Sequence, residues 1–148
     1  MLTARVLELA RDYPPLLSLD LHEDNLLKAG YLYSQGERGA DDPVARKVVA
    51  LFLQHQFPIL MEGTTRFGET VKGGIVSGVK DGSIDELISA PTVIVDRSPR
   101  KGPSGSTVLV LETSSMDTPL ADRVKVHTAV LGSLESLWES AKKGRRLD

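Results

Sequence analysis

Residues 16–24, LLSLDLHED, constrain this chain most, because an apolar run breaks off there into His22, Glu23 and Asp24. An apolar run of this length reads as a buried strand, and its polar end delivers chemistry to the rim of a sheet. Leucines fall on both faces, with Ser18 and Asp20 between them, which predicts a central strand covered on both sides. The three polar residues at its end are potential metal ligands or acid–base groups.

Composition limits what that strand can belong to. A chain of 148 residues, 41% hydrophobic and 26% charged, has the length and apolar content for one domain, residues 1–148, with a real core. The net charge of -2 leaves no overall basic surface for a phosphate backbone or an anionic membrane, so neither nucleic acid nor membrane is expected as a partner. The absence of cysteine excludes disulfides, a thiol nucleophile and thiolate zinc sites, leaving histidine and carboxylate as metal ligands. No apolar stretch approaches the roughly 18 residues of a membrane span, and the N-terminus lacks the layout of a signal peptide. A cytoplasmic location is the expectation.

Periodicity and breakers place the remaining elements. Residues 2–12 predict a surface helix with Leu2, Val6, Leu9 and Ala10 on its inner face, and Tyr13-Pro14-Pro15 stops it. Residues 23–40, with Gly30, Gly36 and Gly39, predict a loop. Asp42 followed by Pro43 announces a helix that runs to about His55, with Val44, Val48, Leu51, Phe52 and His55 inward. Residues 58–61 are a short strand candidate. The glycines between Gly63 and Gly82 match neither a Walker loop nor a dinucleotide fingerprint, and predict a mobile loop or tight turns. Residues 85–89 make a helical turn, and residues 92–95, TVIV, a strand. Residues 97–106, RSPRKGPSGS, have the composition of an exposed loop, and residues 107–111, TVLVL, form the strongest strand, ending at Glu112. A last helix begins at Thr118-Pro119, with Leu120, Val124, Leu131, Leu134 and Trp138 as its apolar stripe. Lys142, Lys143, Arg145 and Arg146 suit the negative end of its dipole.

This order predicts an α/β fold, with a mostly parallel or mixed sheet and helices on both faces. Ligands of open sheets of this kind bind beyond the carboxyl ends of strands. Two strands end there in groups with catalytic potential, at His22 and at Glu112; as parallel neighbours they would face one cleft. A strand-end histidine is also an ordinary structural or solvated residue, and Glu112 an ordinary surface carboxylate. Packing accounts for His55 and His127.

SLDLHED (residues 18–24) and TVLVLET (residues 107–113), followed by a closing helix rich in Leu and Val, resemble the C-terminal half of the zinc carboxypeptidases and of the related murein-peptide amidases, desuccinylases and aspartoacylases. The resemblance implies a carboxypeptidase-like fold truncated at its N-terminal side, with His22 as a zinc ligand. It implies Glu112 as the base toward zinc-bound water and then the acid toward the leaving amine. Glu23, Asp24 and Arg97 are its candidate substrate contacts, and Arg66 and Arg100 match the expected arginine by chemistry alone. Residues 81–85, DGSID, echo a family segment without carrying a role. The chain departs from the family in lacking the H-x-x-E zinc pair: three positions after His22, His55 and His127 stand Asn25, Pro58 and Val130. Tyr31 and Tyr33 lie too early to be the family's substrate-closing phenol.

The resulting expectation is a zinc-dependent hydrolase of a peptide or an N-acyl amino acid that is incomplete or inactive as this chain alone. The alternative is a non-catalytic interaction module that has lost its metal site. Either implies an exposed apolar face, covered by a homodimer partner or by a missing N-terminal segment.

Overall fold

The computed structural model describes residues 2–145. Arg146, part of the predicted basic last turn, lies outside the described residues, as do the side chains of Leu2 and Arg145. The architecture is mixed α/β, and its sheet is organised around the strand with the most continuous apolar run. That strand, β8 (Thr107–Ser114), is flanked by β1 (Leu17–Asp24) and β2 (Tyr31–Ser34). The sheet continues through β5 (Ile75–Ser77), β4 (Thr70–Lys72) and β3 (Glu62–Thr64), in the order β1-β8-β2-β5-β4-β3. β1 runs parallel to β8 and β2 antiparallel to it, while β5 is parallel to β2.

Two strand expectations are corrected. β1 lies at the edge of the sheet, not at its centre, and residues 17–21 are only partly buried. Its leucines pack on one face while Ser18, Asp20 and His22 take the other, the alternation of a strand with unlike surroundings on its two sides. β2 occupies part of the predicted loop 23–40: Tyr31 and Leu32 are buried between two neighbouring strands, and the glycines around this four-residue strand had hidden it. Gly30 is required at its start, since a Cβ there would lie 2.5 Å from the Glu112 carbonyl oxygen.

The glycine-rich segment folds into the short strands β3 to β5. Gly73 and Gly74, at φ +60° and +81°, make the tight turn between β4 and β5 that a side chain would resist. β6 (Thr92–Val95) is a strand as expected, but it pairs only with β7 (Ser98–Lys101) in a separate hairpin. The predicted exposed loop 97–106 therefore contains a strand, and Asp96 and Arg97 form its turn with positive φ at both positions.

Helices cover both faces. The α2 helix (Pro43–Gln54) begins as predicted: the Asp42 carboxylate accepts from Val44 N at 2.8 Å and from the Thr107 hydroxyl at 2.8 Å, tying the helix start to the start of β8. Val44, Val48 and Phe52 pack with Leu109 and Leu111 in the main core. On the opposite face, α1 (Leu2–Asp12) and α3 (Ile84–Ser89) close over Val108. Val6 and Ala10 pack as expected, whereas Leu9, also expected inward, is exposed and Leu7 packs in its place.

The predicted last helix is two helices, α4 (Leu120–Gly132) and α5 (Leu134–Arg145), broken at Ser133. Its predicted inner stripe faces out: Leu120, Val124, Leu131, Leu134 and Trp138 are all exposed. Val126, Val130, Leu137 and Ala141 are buried instead, in the core that α2 shares. The segment carries two apolar stripes, and α2 packs on the one with smaller side chains, which allow closer approach.

Candidate functional site

In the parallel pair β1–β8, His22 stands opposite Glu112 and Asp20 opposite Val110, so these four side chains share one face. His22 Nδ1 is 3.8 Å from Glu112 Oε1, and His22 Nε2 is 3.3 Å from Asp20 Oδ1. The imidazole is thus bracketed by two carboxylates. Its side chain is 56% exposed, whereas that of Glu112 is 12% exposed.

Burial, the largest influence, pushes the Glu112 carboxyl up to about 7; His22 opposes the shift, and the carboxylates of Asp24, Asp20 and Asp85 add to it. A carboxyl group in this range exchanges a proton near neutrality.

A cavity of about 430 Å³ opens over this face. Tyr33, Phe67 and Glu69 line one side, and Asp81, Ser83 and Asp85 another. The Tyr33 hydroxyl donates to Glu69 Oε2 at 2.8 Å, and the Thr65 hydroxyl donates to the same oxygen at 2.6 Å. Burial, with the Glu69 and Glu112 carboxylates, raises the Tyr33 phenol, so it stays protonated as a donor. Asp81 accepts from Ser83 N at 2.9 Å, and its pKa is lowered chiefly by hydrogen bonding to Ser83. The cavity lining contains no lysine or arginine, so its charge is carboxylate.

The structure brings His22 and Glu112 together, as parallel strands required. The other candidates lie elsewhere. Asp24 is buried, accepting from the Tyr31 hydroxyl at 3.0 Å and from Leu26 N at 2.6 Å. Glu23 pairs with Arg123. Arg97 is exposed at the β6–β7 turn, and Arg66 and Arg100 are exposed as well. None of these five residues reaches the cavity lining. His127 sits on α4, where burial lowers its pKa.

Several lining residues carried partial signals. Tyr33 and the DGSID segment stood out in the sequence, and Tyr33, Asp81, Ser83, Ile84 and Asp85 all reach the cavity. Glu69 had no sequence signal, because a hairpin of three-residue strands brings it there.

A zinc ion held in a catalytic site takes three protein ligands and keeps one position open. Among the described residues no group of three or more His, Cys, Asp or Glu is arranged to hold a metal ion. His22 Nε2 faces Asp20 at 3.3 Å and Nδ1 lies 3.8 Å from Glu112, beyond a hydrogen bond, so His22 offers one nitrogen at most. These residues do not fit a metal ion by themselves.

No family model matches the chain, and no curated protein matches it significantly. Solved structures do. A protein of Shewanella amazonensis assigned as a metallopeptidase matches with a TM-score of 0.60 at 22% identity, over 78% of this chain and 38% of that one. One from Shewanella baltica, with the same assignment, gives 0.62 at 22% identity, over 80% and 39%. A third, from Shewanella denitrificans, gives 0.59 at 19%, over 77% and 38%. The fold is metallopeptidase-like. At these identities the likeness is one of fold, and this chain corresponds to less than two fifths of the length of those structures. Among the described residues, no helix is long and apolar enough to cross a membrane.

Proposed function

We propose that this chain carries the acid–base part of a zinc-dependent hydrolase acting on the amide bond of a peptide or an N-acyl amino acid. In this reading Glu112 is the catalytic acid–base and His22 is the zinc ligand that the chain contributes. The observation that carries it is the parallel register placing His22 beside Glu112 on the floor of one cavity. The metallopeptidase-like fold and the raised Glu112 pKa support it.

As a carboxylate, Glu112 takes a proton from water; as the acid so formed, it returns that proton to the leaving amine. A value of about 7 suits both halves of the exchange. Asp20 holds the imidazole through Nε2, and Tyr33, fixed by Glu69, offers a rigid wall to the substrate. Substrate contact falls to the cavity lining, because Glu23, Asp24 and Arg97 are engaged or exposed elsewhere. A cytoplasmic location belongs to the same proposal.

Since the described residues do not form a zinc centre alone, the purified chain is expected to bind zinc weakly and to hydrolyse no amide bond. Elemental analysis after gel filtration, with an assay on short peptides and N-acyl amino acids, tests this; tight stoichiometric zinc would overturn the view that the ligand set is incomplete. A ¹³C NMR titration of Glu112 is expected to show a midpoint near 7, and a midpoint at the ordinary value of 4.5 would remove its acid–base role.

A second reading rests on a different observation. The exposed Leu131, Leu134 and Trp138 beside the edge strand favour a non-catalytic interaction module. It predicts that partner binding survives Glu112→Gln unchanged.

A further inference from the structure

The cavity over β1, β8 and β2 is charged in a way that composition does not explain. The chain holds 18 Lys and Arg against 20 Asp and Glu, yet Asp20, Glu69, Asp81, Asp85 and Glu112 line the cavity and no lysine or arginine does. A chance sample of the surface would mix the signs. Among the described residues no group of three carboxylates is arranged to hold a metal ion. The counter-charge that fits is therefore one a single carboxylate can hold, through N–H donors.

Four of the five carboxyl groups have partners or roles already. Asp20 faces His22 Nε2, and Glu112 is the acid–base of the proposed reaction. Asp81 accepts from Ser83 N, and Asp85 lies in the first turn of α3, where the helix dipole favours a negative charge. Glu69 differs. Its Oε2 accepts from the Tyr33 hydroxyl at 2.8 Å and from the Thr65 hydroxyl at 2.6 Å, while Oε1 accepts from none of the described residues. Thr65 is buried, at 5% exposure, and its Oγ1 also accepts from Phe67 N and Glu69 N at 3.2 and 3.3 Å. Thr65 N donates to Glu69 O at 2.9 Å, closing the turn between β3 and β4. With one oxygen clamped by two hydroxyls, the other is aimed in advance, and a ligand meets it at little cost in side-chain entropy. Phe67 and Tyr33 share this wall of the cavity, and an aromatic ring beside a carboxylate attracts an ammonium group.

This wall does not depend on what lies beyond the open edge of the sheet. β2 and β4 stand two and four places from β1, and both hydroxyls that hold Glu69 come from β2 or the β3–β4 turn.

We infer that the wall is a subsite for a protonated amine on an aliphatic arm, as in a lysine side chain, with Glu69 Oε1 accepting its N–H and Phe67 and Tyr33 flanking it. The register sets the length of the arm. Tyr33 pairs with Val110, two residues along β8 from Glu112, so the Cα atoms of Tyr33 and Glu112 are roughly 8 Å apart, at about 3.4 Å per residue and about 4.8 Å per strand. That separation suits a four-carbon arm rather than an amine beside the reacting carbonyl. A basic side chain next to the scissile amide is the substrate feature this adds. As a statement about substrate it rests on the hydrolase reading, whereas the amine site itself does not.

An NMR titration of the ¹⁵N-labelled native chain with Nα-acetyl-lysine methylamide and with its neutral counterpart, Nα-acetyl-norleucine methylamide, tests this. The lysine derivative is expected to bind about tenfold more tightly, the scale of one hydrogen bond to a charged group, and to shift the Phe67 and Glu69 amides. Glu69→Gln keeps an oxygen for Tyr33 and Thr65, and is expected to erase the preference with circular dichroism unchanged. Should Glu69→Gln misfold, the pattern of shifts on the native chain decides the assignment. Equal binding of the two derivatives, or binding of neither, overturns the inference. A preference that survives Glu69→Gln, or shifts confined to Ser83 and Asp85, overturns the assignment to Glu69. None of these readouts uses zinc or turnover, so failure here leaves Glu112 as the acid–base, and an ordinary Glu112 midpoint leaves the amine site.

Discussion

β8 and β1 are parallel neighbours of eight residues each, paired position by position from Leu17–Thr107 to Asp24–Ser114. They have opposite fates. All of β8 except Glu112 is buried, whereas in β1 only Asp24 is. β8 carries an unbroken apolar run from Val108 to Leu111, whereas β1 alternates its three leucines with polar residues. Their neighbours match that difference: β8 is paired on both sides and β1 on one. The site lies where the two environments meet, pairing an exposed imidazole on the edge strand with a buried carboxyl on the central one.

That contrast can be broken most strongly at its buried side. Leu109→Ala, at a fully buried position, is expected to cost about 2–5 kcal/mol in urea unfolding, from lost transfer energy and the cavity left behind. A cost below about 1 kcal/mol would mean that β8 is not the packed centre. Next comes the charge at the junction. The Glu112 carboxyl holds its proton to about 7 in the folded chain against an ordinary 4.5. The folded state therefore binds more protons than the unfolded one between those values, and stability falls as pH rises through that window. Glu112→Gln is expected to be more stable than the native chain at pH 8, by up to about 3 kcal/mol, with the difference vanishing near pH 4. Thermal unfolding across that range checks the sign.

A smaller loss is expected where α2 is tied to β8. Asp42→Ala removes the cap from Val44 N and strands the buried Thr107 hydroxyl, costing about 2 kcal/mol. Thr107→Val in the same background should recover part of it. The smallest effect sharpens the contrast directly: Leu19→Ala, at the register partner of Leu109, is expected to cost roughly 1 kcal/mol, because its side chain is only partly buried.

Much of the fold was legible because local chemistry decided it. Asp42-Pro43 starts α2, Tyr13-Pro14-Pro15 ends α1, and TVLVL forms a strand as its β-branched and leucine run predicts. Illegible were the choices among equivalent surfaces. On α4 and α5, the stripe with the larger side chains is the exposed one, and periodicity cannot tell which of two stripes a neighbouring helix will take. β2 was missed because the glycines on either side of its four residues read as a loop. In the site, His22 and Glu112 were visible as strand ends; Glu69 was not, since only the pairing of β3 with β4 carries it to the cavity.

By itself, then, the sequence determined where α1 ends and α2 begins, that the chain is α/β, and that a histidine and a glutamate stand near the ends of two leucine-bearing strands. Backbone geometry and side-chain period act over a few residues and need no partner. The tertiary structure alone decided that LLSLDLHED is an edge, that its histidine sits between two carboxylates, and that Glu112 is buried enough to hold a proton near neutrality. Each of those depends on which surfaces are removed from water, and that is a property of the whole packed chain.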